Sequence, residues 1–148
     1  MASCIFCDVL AGRADGSFVH RDEHCAAFLD IRPVNPGHVL VVPLEHADSL
    51  GGIAPQTAGH MMRIAQATGA ALRDCPAVRC EGVNLHLADG RVAGQDVFHA
   101  HLHVIPRFAG DGFGLRFPPG YGGASERLAL DRLAEELGAC VDAGETSP

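Results

Sequence analysis

The sequence predicts an α+β fold: an antiparallel sheet of about five short strands, with one central helix and a C-terminal helix. Three observations predict it. Short apolar runs, each closed by proline, glycine or a polar turn, recur through the first part of the chain and again before residue 107. Between them lies one long stretch with helical spacing. A Gly- and Pro-rich loop then precedes a final helical segment.

The elements follow in order. "SFVHRD" and "CAAFLDI" flank a polar turn and read as strand, turn and strand. "IRPVNPGH" carries two prolines and a glycine, a turn signal, and "HVLVVP" reads as a strand ending at Pro43. From Ala54 to Arg73, residues Met61, Ile64, Ala65, Thr68 and Leu72 recur at helical spacing, with Pro76 just past the end. "GVNLHL" at 82–87 places Val83, Leu85 and Leu87 on one face of a fourth strand. "FHAHLHVIPR" at 98–107 reads as a strand that stops at Pro106 and completes an antiparallel meander. After the loop at 110–123 comes a helix over about 125–140, with Ser125 as its natural N-cap. The whole chain, 1–148, reads as a single domain without repeats or linker.

Composition narrows the function. With 148 residues and 47% hydrophobic content the chain can build a real core. No apolar run reaches membrane-spanning length, and "MASCIFCDVLAGR" has no basic region ahead of an apolar stretch, so no membrane partner and a cytoplasmic location are expected. A formal net charge of -7 argues against a nucleic-acid backbone as partner. An anionic ligand must then be held by local donors. Six cysteines in a reducing compartment point to burial or metal binding rather than disulfides.

Three histidines stand out: His99, His101 and His103, at a spacing of two. On a strand they point one way, roughly 6.6 Å apart, while Ala100, Leu102 and Val104 point the other. Such a row suits either a metal chelate with an open position or metal-free chemistry by imidazoles. Cys4 and Cys7 form a C-x-x-C pair that could grip one side of a tetrahedral zinc, with His46 and His99 available as the other half. Two half-buried cysteines on a small helix, or a redox pair, are the competing readings. The loop "ADGRVAGQDV" supplies Gly90 and Gly94 where a backbone bends or approaches a ligand, followed by Gln95 and Asp96.

The segment "FHAHLHVI" resembles the signature of the histidine-triad family of nucleotide hydrolases and transferases. "FLDIRPVNPGHVLVVPLEH" resembles the family's first half and "AGQDVFHAHLHVIPR" its second, so the likeness spans about residues 4–107. It implies the histidine-triad fold and metal-free catalysis. His101 would attack the α-phosphorus of a nucleotide, His103 would donate to a phosphate oxygen, and His99 would flank them. Gln95 and Gly94 would add donors around the phosphate, and Asp30 would take the ribose hydroxyls, with Phe28, Ile31 and Leu40 near a purine. The products implied are a nucleoside monophosphate and the group formerly attached to it, released through a phosphohistidine. The substrate would be a purine nucleoside phosphoramidate or a dinucleoside polyphosphate; the alternative is a nucleotide-binding or adaptor module with negligible turnover.

The N-terminal pair further resembles zinc-bearing bacterial members, which implies a structural zinc on Cys4, Cys7, His46 and His99 and no catalytic cofactor. The family also implies a homodimer. Its N-terminal half looks closer to the phosphoramidase branch, whereas "PRFAGD" resembles the dinucleoside-polyphosphate branch. Two positions depart from the pattern: Ala88 replaces a common asparagine, and Asp96 replaces a Ser or Thr near the leaving group. His20, His24, His38, His60 and His86 read as structural or surface residues.

Overall fold

The computed structural model describes residues 4–145, and the chain divides into two compact units, Met1–Phe113 and Gly114–Pro148. The first contains α1 (Ile5–Leu10), β1 (Phe18–Arg21), β2 (Cys25–Leu29), β3 (Val39–Pro43), α2 (Pro55–Asp74), β4 (Gly82–His86) and β5 (Leu102–Arg107). The second contains α3 (Arg127–Glu145). Among the described residues no helix is long and apolar enough to cross a membrane.

All strand pairs are antiparallel, in the order β1-β2-β3-β5-β4. This departs from the plain meander expected of the sequence. The chain leaves β3 through α2, lays down β4 at the edge, and returns to insert β5 between them. Apolar periodicity identifies a strand but carries no information about which neighbour it takes.

Alternation along the central strands builds two cores. Cys25, Ala27, Val39, Val41, Leu102 and Val104 pack with Met61, Ala65 and Leu72 of α2 on one face. On the opposite face Ala26, Phe28, Leu40 and Val42 pack with Phe6, Val9 and Leu10 of α1. β2 and β3 are apolar at nearly every position because both their faces are covered.

The histidine strand begins later than expected. Only His103 lies within β5; His99 and His101 precede it. On one side β4 ends at His86, paired with His103; on the other the pairing stops at Leu102 with Val41, although β3 itself runs on to Pro43. Upstream, Ala100 N–H donates instead to Ala47 O at 2.7 Å. Nor does Pro106 end the strand, since it pairs with Val83. Beyond Val104 the pairing to β3 has ceased, so a residue without an N–H breaks no bond on that side.

α3 starts at Arg127, two residues past Ser125, and presents Leu128, Leu130, Leu133, Leu137 and Val141 as exposed apolar side chains.

Candidate functional site

Register places a row of side chains across the α1 face of the sheet: Phe28 opposite Leu40, Leu40 opposite His103, His103 opposite His86. The row meets Ile5, Phe6 and Val9 of α1 across a cavity of about 440 Å³, with His101, Asp30, Ile31, Arg32, Asp15 and Asp96 also on its walls. That volume falls within the range of small-molecule sites. A second cavity of about 420 Å³ lies beneath α2, and its lining is almost wholly apolar. The acid-base groups are concentrated in the first.

Hydrogen bonds decide which nitrogen of each imidazole carries the proton. A backbone carbonyl can only accept, so His101, 2.7 Å from His99 O through Nδ1, donates there and keeps its lone pair on Nε2. His38 is the opposite case. Its Nδ1 accepts the Val34 N–H at 3.1 Å, so its Nε2 donates to His103 Nδ1 at 2.9 Å. His103 is thereby left with its proton on Nε2. One histidine presents a nucleophilic lone pair and its neighbour a donor, with ring centroids 4.8 Å apart.

Burial favours the neutral form of His103 and His38. It pushes His103 down to about 4, assisted by the nearby His101, His38 and His86. Burial also lowers His38, outweighing the Asp30 carboxylate 3.7 Å from its Nδ1. With Nδ1 already accepting a backbone N–H, that contact is not an ion pair at neutral pH.

The turn before β3 holds His38 in place. Gly37 has φ +95°, and a Cβ there would lie 2.9 Å from Val78 Cγ1, so glycine is required both by conformation and by space. Asn35 is buried, accepts the His38 N–H through its backbone oxygen at 3.0 Å, and donates from Nδ2 to Pro106 O and to Asp111. Asp111 in turn takes a bidentate grip from Arg107, and its carboxyl sits well below the usual range for that reason.

The remaining sequence-selected residues are placed as follows. Asp30 lines the cavity, with Oδ1 accepting Arg32 N–H at 2.8 Å. Gln95 is buried with its amide committed to the loop: Nε2 donates to Asp48 O and Val97 O, and Oε1 accepts Gly90 N–H. Gly94, at φ +95°, closes the same loop. Asp96 is exposed on the cavity wall and accepts Val97 N–H at 2.9 Å. Ala88 is buried.

A second constellation adjoins the first. Cys4, Cys7, His46 and His99 place one potential ligand atom each within 4.8 Å of one another. His99 Nε2–H donates to Pro43 O at 2.9 Å and His46 Nε2–H to Asp48 at 2.8 Å. Both Nδ1 lone pairs are therefore turned toward the thiols, with Nδ1-to-Sγ distances of 3.5, 3.6 and 3.3 Å. A tetrahedral zinc with ordinary Zn–S and Zn–N bonds requires edges of about 3.5 Å. Two thiols and two lone pairs pointed at one spot, each imidazole braced from behind, form a donor set suited to zinc. Burial and the neighbouring Cys4 push the Cys7 thiol up, a penalty that a bound cation reverses.

Sequence reasoning missed His38, which it left among the structural histidines. The available signal was position: His38 is the one polar residue heading the apolar run "HVLVVP", two places from Leu40 and so on the same face. It also missed a cluster on the far edge, where Asp22 Oδ2 accepts from His20 Nε2 at 2.9 Å and His60 Nε2 at 2.7 Å. Nothing in the sequence spacing links a turn residue to a helix residue 38 positions away.

Comparison with known proteins agrees with this architecture. The HIT domain family model matches residues 11–110. A HIT family protein from Bacillus anthracis superposes with a TM-score of 0.84 at 34% identity, covering 94% of this chain and 97% of that one. A Zn-bound histidine triad family protein from Mycobacterium smegmatis gives 0.72 at 35% identity, covering 96% and 97%. A histidine triad nucleotide-binding protein from Candida albicans gives 0.83 at 28% identity, covering 95% and 99%.

Proposed function

The chain belongs to the HIT domain family, and from that membership and the pocket geometry we propose that it is a nucleotidyl hydrolase acting through a covalent phosphohistidine. The single observation that carries the reading is the pairing of opposite imidazole tautomers: a lone pair on His101 Nε2 beside a proton on His103 Nε2, in one cavity. His101 Nε2 attacks the α-phosphorus and forms an N–P bond as the bond to the leaving group breaks. His103 donates to a non-bridging oxygen, offsetting charge on the five-coordinate phosphorus. Water then attacks phosphorus, restoring neutral His101 and releasing the nucleoside monophosphate. Asp30 takes the ribose hydroxyls, while Phe28, Ile31, Leu40 and the α1 side chains enclose a purine. Gln95 acts through the loop it braces, and Gly94 lets that loop approach the phosphate.

The group attached to the phosphate is an amine in a phosphoramidate or a nucleotide in a dinucleoside polyphosphate. Asp96 on the cavity wall bears on this choice. Asp96→Ser should change the ratio of turnover on the two substrates by at least about tenfold, or ~1.4 kcal/mol of differential transition-state binding. An unchanged ratio would move the determinant elsewhere. Ala88 and Asp96 together favour a second reading, a nucleotide-binding module with negligible turnover, since neither offers phosphate a neutral donor. Rapid quench during turnover separates the two: an acid-labile nucleotidyl adduct supports the hydrolase, and its consistent absence supports the module.

The donor geometry at Cys4, Cys7, His46 and His99, together with the Zn-bound relative, supports a structural zinc. Bound there it supplies a cross-link between α1 and the sheet, and no step of the reaction passes through it. A homodimer is part of the same proposal, supported by the exposed apolar residues of α3 and by Leu85 on the edge strand β4; light scattering checks it.

A further inference from the structure

We propose that the Cys4–Cys7–His46–His99 cluster positions the nucleophile and one wall of the nucleotide pocket, because His99 and α1 each belong to both sites. His99 turns its side chain to the thiols, while its backbone oxygen, 2.7 Å away, receives the His101 Nδ1–H. That carbonyl fixes the tautomer and the ring orientation of His101. Whatever anchors His99 therefore anchors the acceptor that aims the attacking nitrogen.

The second route runs through α1. Cys4 precedes this helix and Cys7 lies within it, and between them Phe6 packs edge-on against both His99, at 5.9 Å, and His101, at 5.2 Å. Ile5, Phe6 and Val9 form the apolar wall of the cavity. A helix of six residues has no stability of its own. Its packing on Ala26, Phe28, Leu40 and Val42 and the cluster at its N-terminal end help to hold it. Filling the cluster with zinc ties this wall to His46 and His99 on the sheet side. His99 and Cys7 are thus positioning residues for a reaction whose atoms they do not touch.

The proposal rests on the nucleotide reading for its purpose, but its geometry is testable without a nucleotide. The full chain labelled with ¹⁵N-histidine is compared zinc-loaded and chelated, following solvent exchange of the His101 Nδ1–H resonance, assigned by its absence in His101→Asn. Exchange should be at least tenfold faster without zinc and should return to its original rate when zinc is restored. Equal rates in the two forms overturn the proposal. In parallel, calorimetry with a nucleoside monophosphate should show at least tenfold weaker binding after chelation, and equal affinity also counts against it. If chelation unfolds the wild type, His46→Asn provides the reading, since His46 lies outside the pocket. In that folded variant at low zinc, rapid exchange that slows as zinc is added supports the coupling, and exchange that ignores zinc overturns it. Zinc-dependent exchange in a protein that binds no nucleotide in either form would refute the nucleotide reading and leave the coupling standing.

Discussion

Two groups of histidines in this molecule differ in one respect, the direction of their protons. In the triad region His46, His99 and His101 send their N–H groups back to a carboxylate or a carbonyl and turn their lone pairs forward. At the far edge His20 and His60 do the reverse, converging their N–H groups on Asp22. Asp22 also accepts the backbone N–H groups of His24 and Cys25 at 2.8 Å each. The first group turns its electron pairs toward two thiols or into the cavity, where an electrophile would meet them. In the second, the shared carboxylate already takes four donors. Residue type does not separate them; the partner of the far nitrogen does.

The sharpest way to break this comparison is at turnover. His101→Asn should retain nucleotide binding and lose at least about a thousandfold in rate, because no other attacking group is in place. His60→Asn should leave the rate unchanged. Comparable losses in both would dissolve the distinction. Metal content comes next: the purified protein should carry about one zinc per chain, and Cys4→Ser with Cys7→Ser should remove it and lower the melting temperature. The loss should be far smaller than the ~10–16 kcal/mol of zinc-finger peptides, since the sheet has its own core. Replacing His20 and His60 should leave the zinc count untouched, as measured by atomic absorption.

A smaller effect is expected at the far edge. Asp22→Ala should cost about 1–3 kcal/mol in denaturant unfolding, through lost acceptors for two imidazoles and two backbone amides, with activity per folded molecule preserved. Activity lost beyond the change in stability would connect the edge to the pocket after all. The smallest effect separates the two regions by pH. His103 titrates near 4 in the fold and near 6.5 in the unfolded chain, so the unfolded state takes up its proton first. Its contribution to stability is full above pH 6.5 and declines as pH falls toward 4. Asp22 is held far below the usual carboxylate range by the His20 and His60 hydrogen bonds, so its contribution is full above its unfolded value, about 3.9, and is lost only as pH falls below that. Acid unfolding should therefore weaken the protein first through the pocket, and His103→Gln should flatten the slope between pH 6.5 and 4.

Much of this architecture was legible in the sequence because it is local. The strands at Cys25–Leu29 and Val39–Pro43 and the helix at Pro55–Asp74 follow from periodicity and punctuation. What escaped was tertiary. The upstream end of β5 depends on where β4 stops and on the turn of Ala100 toward Ala47, and the strand order depends on pairing. The role of His38 depends on a hydrogen bond to His103 across 65 residues. Gln95 illustrates a subtler gap: the family resemblance implies a donor to phosphate there, while its amide is already engaged by Asp48, Val97 and Gly90. A polar residue near a site is free to act only if the backbone around it is satisfied by other means.

The insertion of β5 between β3 and β4 also bears on how the chain assembles. β4 precedes β5, its one neighbour among the described strands, in the chain, and β5 reaches β3 by closing a loop of roughly 60 residues, a long-range contact of the kind that slows folding. Both His103 and the His99–His101 turn depend on that closure. A chain in which that closure has not occurred thus holds most of its histidines without the arrangement that the proposed reaction requires.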